Sequence, residues 1–133
     1  MSGQDRLKKL LIPFFKENGM EMIPADKYAI DAFKECATDR GVPSDVIGQI
    51  VELYELTDGV PCIDGFDLHS CGDEIIFEFW NDKELWIAQN SMDMLRWANG
   101  KFCLGHAGDL SYGEEYEFDS LAELLEAAFS DWY

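Results

Sequence analysis

The amino-acid sequence predicts an α+β fold in which N-terminal helices precede a central antiparallel sheet of about 4–6 strands and a C-terminal helix closes the chain. Up to about residue 58, apolar residues recur every three or four positions, which is the spacing of amphipathic helices. From about residue 60 they alternate with polar residues, which is the spacing of half-buried strands. The 133 residues fit a single domain, 1–133, in which residues 1–20 form a helical extension.

The first predicted helix is amphipathic. Its apolar face consists of Leu7, Leu10, Leu11, Phe14 and Phe15. Pro13 has no N–H to donate to Lys9, so we expect a kink, and Gly19 is expected to end the helix. The flanking Lys8, Lys9 and Lys16 leave open a role at a membrane surface, although packing onto its own domain is the commoner use of such an apolar face.

Two further helices are predicted before the sheet. The second covers residues 24–40, with Gly41 as its C-terminal stop. The third begins at Ser44, whose hydroxyl can accept hydrogen bonds from the N–H groups of the first helical turn. Asp58-Gly59 is expected to end it.

Short strands are predicted next. Phe66 and Leu68 alternate with polar residues, and the apolar residues of 75–79 alternate with acids. Residues 81–84 have the length of a hairpin loop and lead to a returning strand at 85–87. Asn99-Gly100 is the strongest hairpin signal in the chain, because both residues tolerate the positive φ of a type I′ turn.

The Asn99-Gly100 turn is expected to pair residues 92–98 with residues 101–106, and a shorter strand is expected near 116–118. Ser120 and Glu123 form a capping box that begins the C-terminal helix. Its predicted apolar face consists of Leu121, Leu124, Leu125, Ala128 and Phe129.

The formal net charge of −17 is unevenly distributed. Residues 1–40 contain seven basic and seven acidic residues, whereas residues 41–133 contain three basic residues (Lys83, Arg96 and Lys101) and twenty acidic ones. Such a field repels nucleic-acid phosphates and anionic lipids, so neither is expected as a partner. It favours a cationic protein partner, and plain solubility is the alternative explanation.

The thiols are expected to be reduced and the chain cytoplasmic. Four cysteines lack the compact spacing of a disulfide-rich domain. The apolar run at 10–15 is broken by Pro13 and has no cleavage site after it, so no signal peptide is expected. No stretch approaches the roughly 18 apolar residues needed to span a bilayer.

The sequence contains residue types suited to three kinds of chemistry. Cys62, His69, Cys71, Cys103 and His106 are possible zinc ligands, but none of their spacings matches a paired zinc knuckle, so no metal ion or cofactor is predicted. His69 and Cys71 offer a base and a nucleophile for a small hydrolase, without any known catalytic signature. Close carboxylate pairs are expected by chance among twenty acids, so no catalytic residue is assigned.

Acids and tryptophans mark the predicted partner-binding surface. Trp80 and Trp86 flank the 81–84 loop, and on the predicted strand Trp80 shares a face with Glu74 and Glu78. Half-exposed aromatic side chains among carboxylates suit protein recognition, whereas packing of Trp80 beneath the C-terminal helix is the structural alternative. The predicted binding residues are Asp64, Asp67, Asp73, Glu74, Glu78, Trp80 and Trp86, with Asp109, Glu114 and Glu115 as a second patch.

The order of these features resembles the SUKH superfamily, which includes fungal cell-wall assembly and glucan-synthesis regulators and many bacterial proteins. The resemblance is carried by IDAFKE at 30–35, GVP at 41–43, IVELY at 50–54, Asp58-Gly59, LGHAG at 104–108 and FDSLAELL at 118–125. Val42, Asp58 and Val60 depart from the usual leucine, asparagine and second glycine. The resemblance implies an α+β fold without a catalytic centre and, in bacteria, an immunity protein that neutralises a toxin.

Charge and resemblance together predict a non-enzymatic protein-binding module. The expected partner is a basic toxin domain of the nuclease or nucleic-acid deaminase type, which the chain neutralises through an acidic surface. The chain is expected to be a monomer or a weak dimer. A regulatory scaffold that binds an endogenous partner is the main alternative, and a small hydrolase is the least favoured one.

Overall fold

The computed structural model describes residues 3–63, 66–72, 74–78, 80–89, 93–98, 100–106 and 116–132, and within them it confirms the α+β class. The described helices are α1 (Gly3–Glu17), α2 (Lys27–Arg40), α3 (Ser44–Tyr54), α4 (Ile75–Glu78) and α5 (Leu121–Trp132). The described strands are β1 (Val60–Ile63), β2 (Phe66–Leu68), β3 (Glu84–Gln89), β4 (Asp93–Ala98), β5 (Lys101–His106) and β6 (Tyr116–Phe118). They form one antiparallel sheet in sequence order, and a 3-10 turn, Trp80–Asp82, lies between α4 and β3.

The chain divides into two compact units. The helical unit comprises Met1–Gly59 with Ser70–Asp73, and the sheet unit comprises Val60–His69 with Glu74–Tyr133. That residues 1–133 act as one domain stays a prediction. Among the described helices, none combines the length and the apolar character that crossing a bilayer requires.

The core of the helical unit is built around α3, which contacts both α1 and α2. Its buried side chains are Val46, Ile47, Ile50, Val51, Leu53 and Tyr54. The Phe33 ring of α2 packs edge-on against the Tyr54 ring, with 5.8 Å between centroids, and α1 buries Leu7, Leu11, Phe14 and Phe15. α1 continues as a helix past Pro13, and Gly19 follows its end in the left-handed conformation (φ 66°).

The start of α2 differs from the prediction, and its end agrees with it. α2 begins at Lys27, because Asp26 caps it by accepting the Tyr28 N–H at 2.7 Å. Residues 24 and 25 precede the helix, and the Ala25 N–H donates to the Tyr54 carbonyl at 2.9 Å. Gly41 ends α2 in the left-handed conformation (φ 86°), as predicted.

The ends of α3 also differ from the prediction. Pro43 occupies the capping position, so Ser44 is the first helical residue and the expected serine cap is wrong. The helix ends at Tyr54, before Asp58-Gly59, because the Asp58 N–H donates to the Ile23 carbonyl at 2.7 Å and holds the chain in a loop.

The hairpin predicted at Asn99-Gly100 is confirmed. Ala98 lies opposite Lys101, and Gly100 has a φ of 82°, which only glycine adopts without strain. The predicted strands at 85–87 and 116–118 are also confirmed, the first as part of the longer β3. An irregularity between Trp86 and Ala88 shifts the register of β3 against β4.

Residues 75–78 form a helix and not the predicted strand, so that prediction is wrong. The Phe77 N–H donates to the Glu74 carbonyl at 3.1 Å, and Ile76 is the buried side chain of α4. The physical reason is that Ile75-Ile76-Phe77 is a continuous apolar run, and periodicity cannot distinguish a short apolar helix from a strand. Residues 81–84 are therefore no hairpin loop, and β3 pairs with β2 and β4.

The C-terminal helix α5 begins as predicted. The Ser120 hydroxyl accepts the Glu123 N–H at 3.2 Å, which satisfies one of the free N–H groups of the first turn. α5 contacts β5 and β6. Its buried side chains among the described ones are Leu121, Ala122, Leu124, Leu125 and Ala128.

Candidate functional site: the polar sheet face and the tryptophan turn

Strand register gives the sheet one apolar and one polar face. Residues opposite each other on antiparallel strands share a face, and successive residues alternate between faces. The apolar face contains Leu68, Leu85, Leu95, Trp97, Phe102, Leu104 and Phe118. The polar face contains Asp67, Glu84, Trp86, Gln89, Arg96, Lys101, Cys103 and Glu117, together with the buried apolar residues Met94 and Ala98.

A buried ion pair lies on the polar face. The Arg96 guanidinium contacts the Glu84 carboxylate, and the two side chains are only 8% and 18% exposed. The same Glu84 oxygen accepts the Trp86 indole N–H at 3.3 Å. Glu84 therefore neutralises Arg96 and fixes the orientation of Trp86. Trp86 lies opposite Arg96 in the β3–β4 register.

A second ion pair on this face is open to water. Lys101 contacts Asp119, and their side chains are 44% and 79% exposed. The pKa of Lys101 is raised by its hydrogen bond to Asp119, then by the negative charge of Asp119, and further by Glu117 and Glu123. Lys101 is thus surrounded by carboxylates at the start of β5.

The third basic residue of the sheet unit, Lys83, contacts an aromatic ring. Its ammonium lies 4.9 Å from the centroid of the Trp80 ring, which is half-buried. The Trp80 ring also stacks on Trp97, with 6.4 Å between centroids and 19° between the ring planes. Lys83 has a φ of 62° and is the only non-glycine residue with positive φ in the described part of the chain.

The two tryptophans predicted to bind a partner lie on opposite faces of the sheet. Trp86 is on the polar face, whereas Trp80 stacks on Trp97, which belongs to the apolar face. The predicted shared face of Trp80, Glu74 and Glu78 depended on a strand that is in fact a helix, so that placement is wrong.

The predicted acidic residues are placed as follows. Asp67 is half-buried on the polar face, and Glu74 and Glu78 are exposed, just before and within α4. Those that lie outside the described residues are Asp64, Asp73, Asp109, Glu114 and Glu115.

Sequence reasoning missed the Glu84–Arg96 pair, the Lys101–Asp119 pair and the contact of Lys83 with Trp80. Asn99-Gly100 was a usable signal for the second pair, because its hairpin register sets the face of Lys101. The first pair depends on which residues of β3 lie opposite β4, and the sequence did not predict that β3 pairs with β4.

The sheet unit carries most of the negative charge. It contains fifteen acidic and three basic residues, a net charge of −12, whereas the helical unit contains twelve and seven, a net charge of −5. Each of the three basic residues contacts a carboxylate or an aromatic ring within the unit, namely Arg96, Lys101 and Lys83. Exposed acids such as Glu74, Glu78 and Glu117 therefore face solvent with no further basic residue in this unit to pair with.

The cysteine of the hydrolase alternative is held as a neutral thiol. Burial raises the pKa of Cys71 to about 11, and the charge of Asp58 adds to the shift. Its Sγ–H donates to the Ala29 carbonyl at 3.3 Å, and its N–H donates to an Asp58 oxygen at 2.8 Å. A protonated thiol is a weak nucleophile and a poor metal ligand at neutral pH.

The possible zinc ligands do not converge where the structure describes them. Cys103 contacts the Lys101 carbonyl at 3.5 Å, and the His69 N–H donates to the Ile87 carbonyl at 3.1 Å. The side chains of Cys62 and His106 lie outside the described ones. Over the described residues, no group of three His, Cys, Asp or Glu side chains has the geometry to hold a metal ion.

Comparison of the chain with protein-family models, with characterised proteins and with solved structures finds no match. The resemblance to the SUKH superfamily therefore stays a prediction from the sequence.

Proposed function

We propose that this chain is a non-enzymatic, cytoplasmic protein-binding module, a monomer or weak dimer, that neutralises a basic toxin domain through its acidic sheet unit. The observation that carries the proposal is the charge of that unit. The unit has a net charge of −12, and its three basic residues already contact a carboxylate or an aromatic ring within it. The excess carboxylates can therefore attract a basic partner.

Such a surface suits fast association with a basic protein. An excess of one charge raises the local concentration of an oppositely charged partner and increases the association rate constant at low salt. Exposed carboxylates at α4 and at β6, such as Glu78 and Glu117, supply this attraction. Affinity after encounter depends more on buried contacts, for which aromatic side chains are the usual anchors.

The toxin class follows from charge and from the SUKH resemblance. Proteins that act on nucleic acids expose basic surfaces that bind phosphates. A negatively charged protein that covers such a surface competes with the nucleic acid for it. The chain would then inhibit the toxin by covering its nucleic-acid-binding surface, without any catalytic step of its own.

The direct test pairs this chain with the protein encoded beside its gene. We expect co-expression to restore growth to cells that produce the neighbouring protein, and the two proteins to co-purify. The association rate constant should fall steeply as salt rises. If the neighbouring protein is not toxic, or is toxic and neither bound nor inhibited, the immunity function is wrong. Binding of a harmless endogenous protein instead would favour the scaffold alternative.

Matched charge reversals locate the surface. Glu74→Lys with Glu78→Lys changes the sheet unit, and Glu21→Lys with Glu35→Lys makes the same change at exposed positions of the helical unit. We expect the first pair to lower the association rate constant by about tenfold and the second pair to lower it much less. Equal effects would mean that total charge matters and that the sheet unit is not the binding surface.

A further inference from the structure

The Trp80 ring already holds a positive charge in the free protein. The Lys83 ammonium lies 4.9 Å from its centroid, and the Lys83 side chain is exposed. Among the aromatic side chains, tryptophan attracts a cation to the face of its ring most strongly. The stacking of Trp97 on Trp80 holds the ring in place.

The backbone holds Lys83 in this position at an energetic cost. Its N–H donates to the Trp80 carbonyl at 2.8 Å, which closes the turn after Trp80–Asp82. Its φ of 62° lies in the left-handed region, which favours glycine or asparagine over lysine. A strained residue with a specific contact is a reason to look for a role in binding.

The residues around this turn are acidic. Residues 74–84 contain four acids and the single basic residue Lys83. Of these acids, Glu84 is already paired with Arg96, whereas Glu74 and Glu78 are exposed. The local charge therefore favours a cation at Trp80.

We propose that the Trp80 ring is a receptor for an arginine or lysine side chain of a basic protein, and that Lys83 occupies it until that side chain displaces it. The inference deepens the proposed function, because it names the group of the partner that is recognised. Binding exchanges one cation for another on the same ring and involves no covalent step.

The displacement is measured by NMR with an octa-arginine peptide as the probe, at about 0.15 M salt to limit long-range attraction. In the free protein, the ε-methylene protons of Lys83 should be shifted upfield by the Trp80 ring. We expect them to move to the position of an exposed lysine as the peptide saturates the protein. The Lys34 side chain, exposed on α2, is the control and should not move in this way. Saturation without a change at Lys83 would overturn the proposal.

A mutant cycle tests the role of the ring. Lys83→Met removes the competing ammonium and should tighten peptide binding by about two- to fivefold more than the control Lys34→Met does. In a Trp80→Leu background, Lys83→Met should tighten peptide binding no more than Lys34→Met does. If it gives the same gain with and without Trp80, the ring is not the receptor. Because Trp80→Leu removes the stacking on Trp97, the cycle is repeated with Trp80→Phe, which should retain part of the gain.

The peptide experiment is independent of the natural partner. If the peptide displaces Lys83 but the protein encoded beside the gene is not bound, the receptor stands and the toxin assignment fails. If that protein is bound and inhibited while Lys83 stays on Trp80, the proposed function stands and the receptor is wrong.

Discussion

Replacing Glu84 by alanine should leave the Arg96 guanidinium buried without its carboxylate. The Arg96 side chain is 8% exposed, so water cannot replace the lost partner. Removing one member of a buried ion pair costs about 3–5 kcal/mol. Because 18% of the Glu84 side chain is exposed, we expect the lower end of that range, about 3 kcal/mol.

Urea unfolding followed by far-ultraviolet circular dichroism measures this loss. With an m-value of about 1.5–2 kcal/mol/M for a chain of this size, the midpoint should fall by about 1.5–2 M. Asp119→Ala is the control, because it removes the carboxylate of the exposed Lys101 pair, and its midpoint should not change measurably. Glu84→Gln should fall between the two, because its amide oxygen can still accept the Trp86 N–H.

The double variant Glu84→Gln/Arg96→Met separates burial of charge from packing. Replacing both members of a buried pair by uncharged residues is often neutral or stabilising, so most of the loss should be regained. The reasoning is refuted if Glu84→Ala unfolds within about 0.3 M urea of wild type, or if the double variant is less stable than Glu84→Ala.

Three further outcomes are expected. Exposed Cys36 should be alkylated rapidly at pH 8 and buried Cys71 slowly. The free energy of unfolding should be unaffected by Cys71 below pH 9.0 and should fall by about 2–3 kcal/mol towards pH 11, because the thiol of the unfolded chain ionises at lower pH than the buried thiol. Urea unfolding across that pH range measures the loss, and Cys71→Ala should not show it. Asp58→Ala should lower unfolding stability by about 1–3 kcal/mol through loss of the acceptor for the Cys71 N–H, whereas Asp58→Asn should retain the acceptor and lower the pKa of Cys71, measured by its alkylation rate against pH. Gly100→Ala should lower the free energy of unfolding by about 1–2 kcal/mol, because alanine is strained at a φ of 82°. Gly48→Ala should raise it by about 0.5–1 kcal/mol, because Gly48 is exposed in the middle of α3 and no atom lies near the added methyl group. Urea unfolding measures both.

Much of the fold was predictable because local chemistry determined it. Gly41 and Gly100 adopt positive φ where the sequence predicted a helix stop and a turn, and Ser120 caps α5 through its own side chain. Residues 75–78 could not be predicted, because a short apolar run has no distinguishing period. The start of α2 was misplaced because Pro24 suits the first turn of a helix, whereas Asp26 caps the helix and Lys27 begins it.

The site was predictable in charge and not in geometry. Counting acids identified the part of the chain with excess negative charge, which lies mainly in the sheet unit. The position of Trp80 depended on the helical state of residues 75–78, and the neighbours of Trp86 depended on the pairing of β3 with β4. Both are set by tertiary packing, so alternation alone assigned Trp80 to the wrong neighbours.

The charges next to the two tryptophans give them different roles. Trp86 lies opposite Arg96, and its N–H is bound to the carboxylate that neutralises that guanidinium. A partner cation that approached Trp86 would meet a buried positive charge, and it would compete for a carboxylate that Arg96 needs. Trp80 has exposed acids before it in the chain and already holds an ammonium. A basic partner therefore gains more at Trp80, while Trp86 stabilises the polar face, and Trp86→Phe should change affinity for octa-arginine less than Trp80→Phe does.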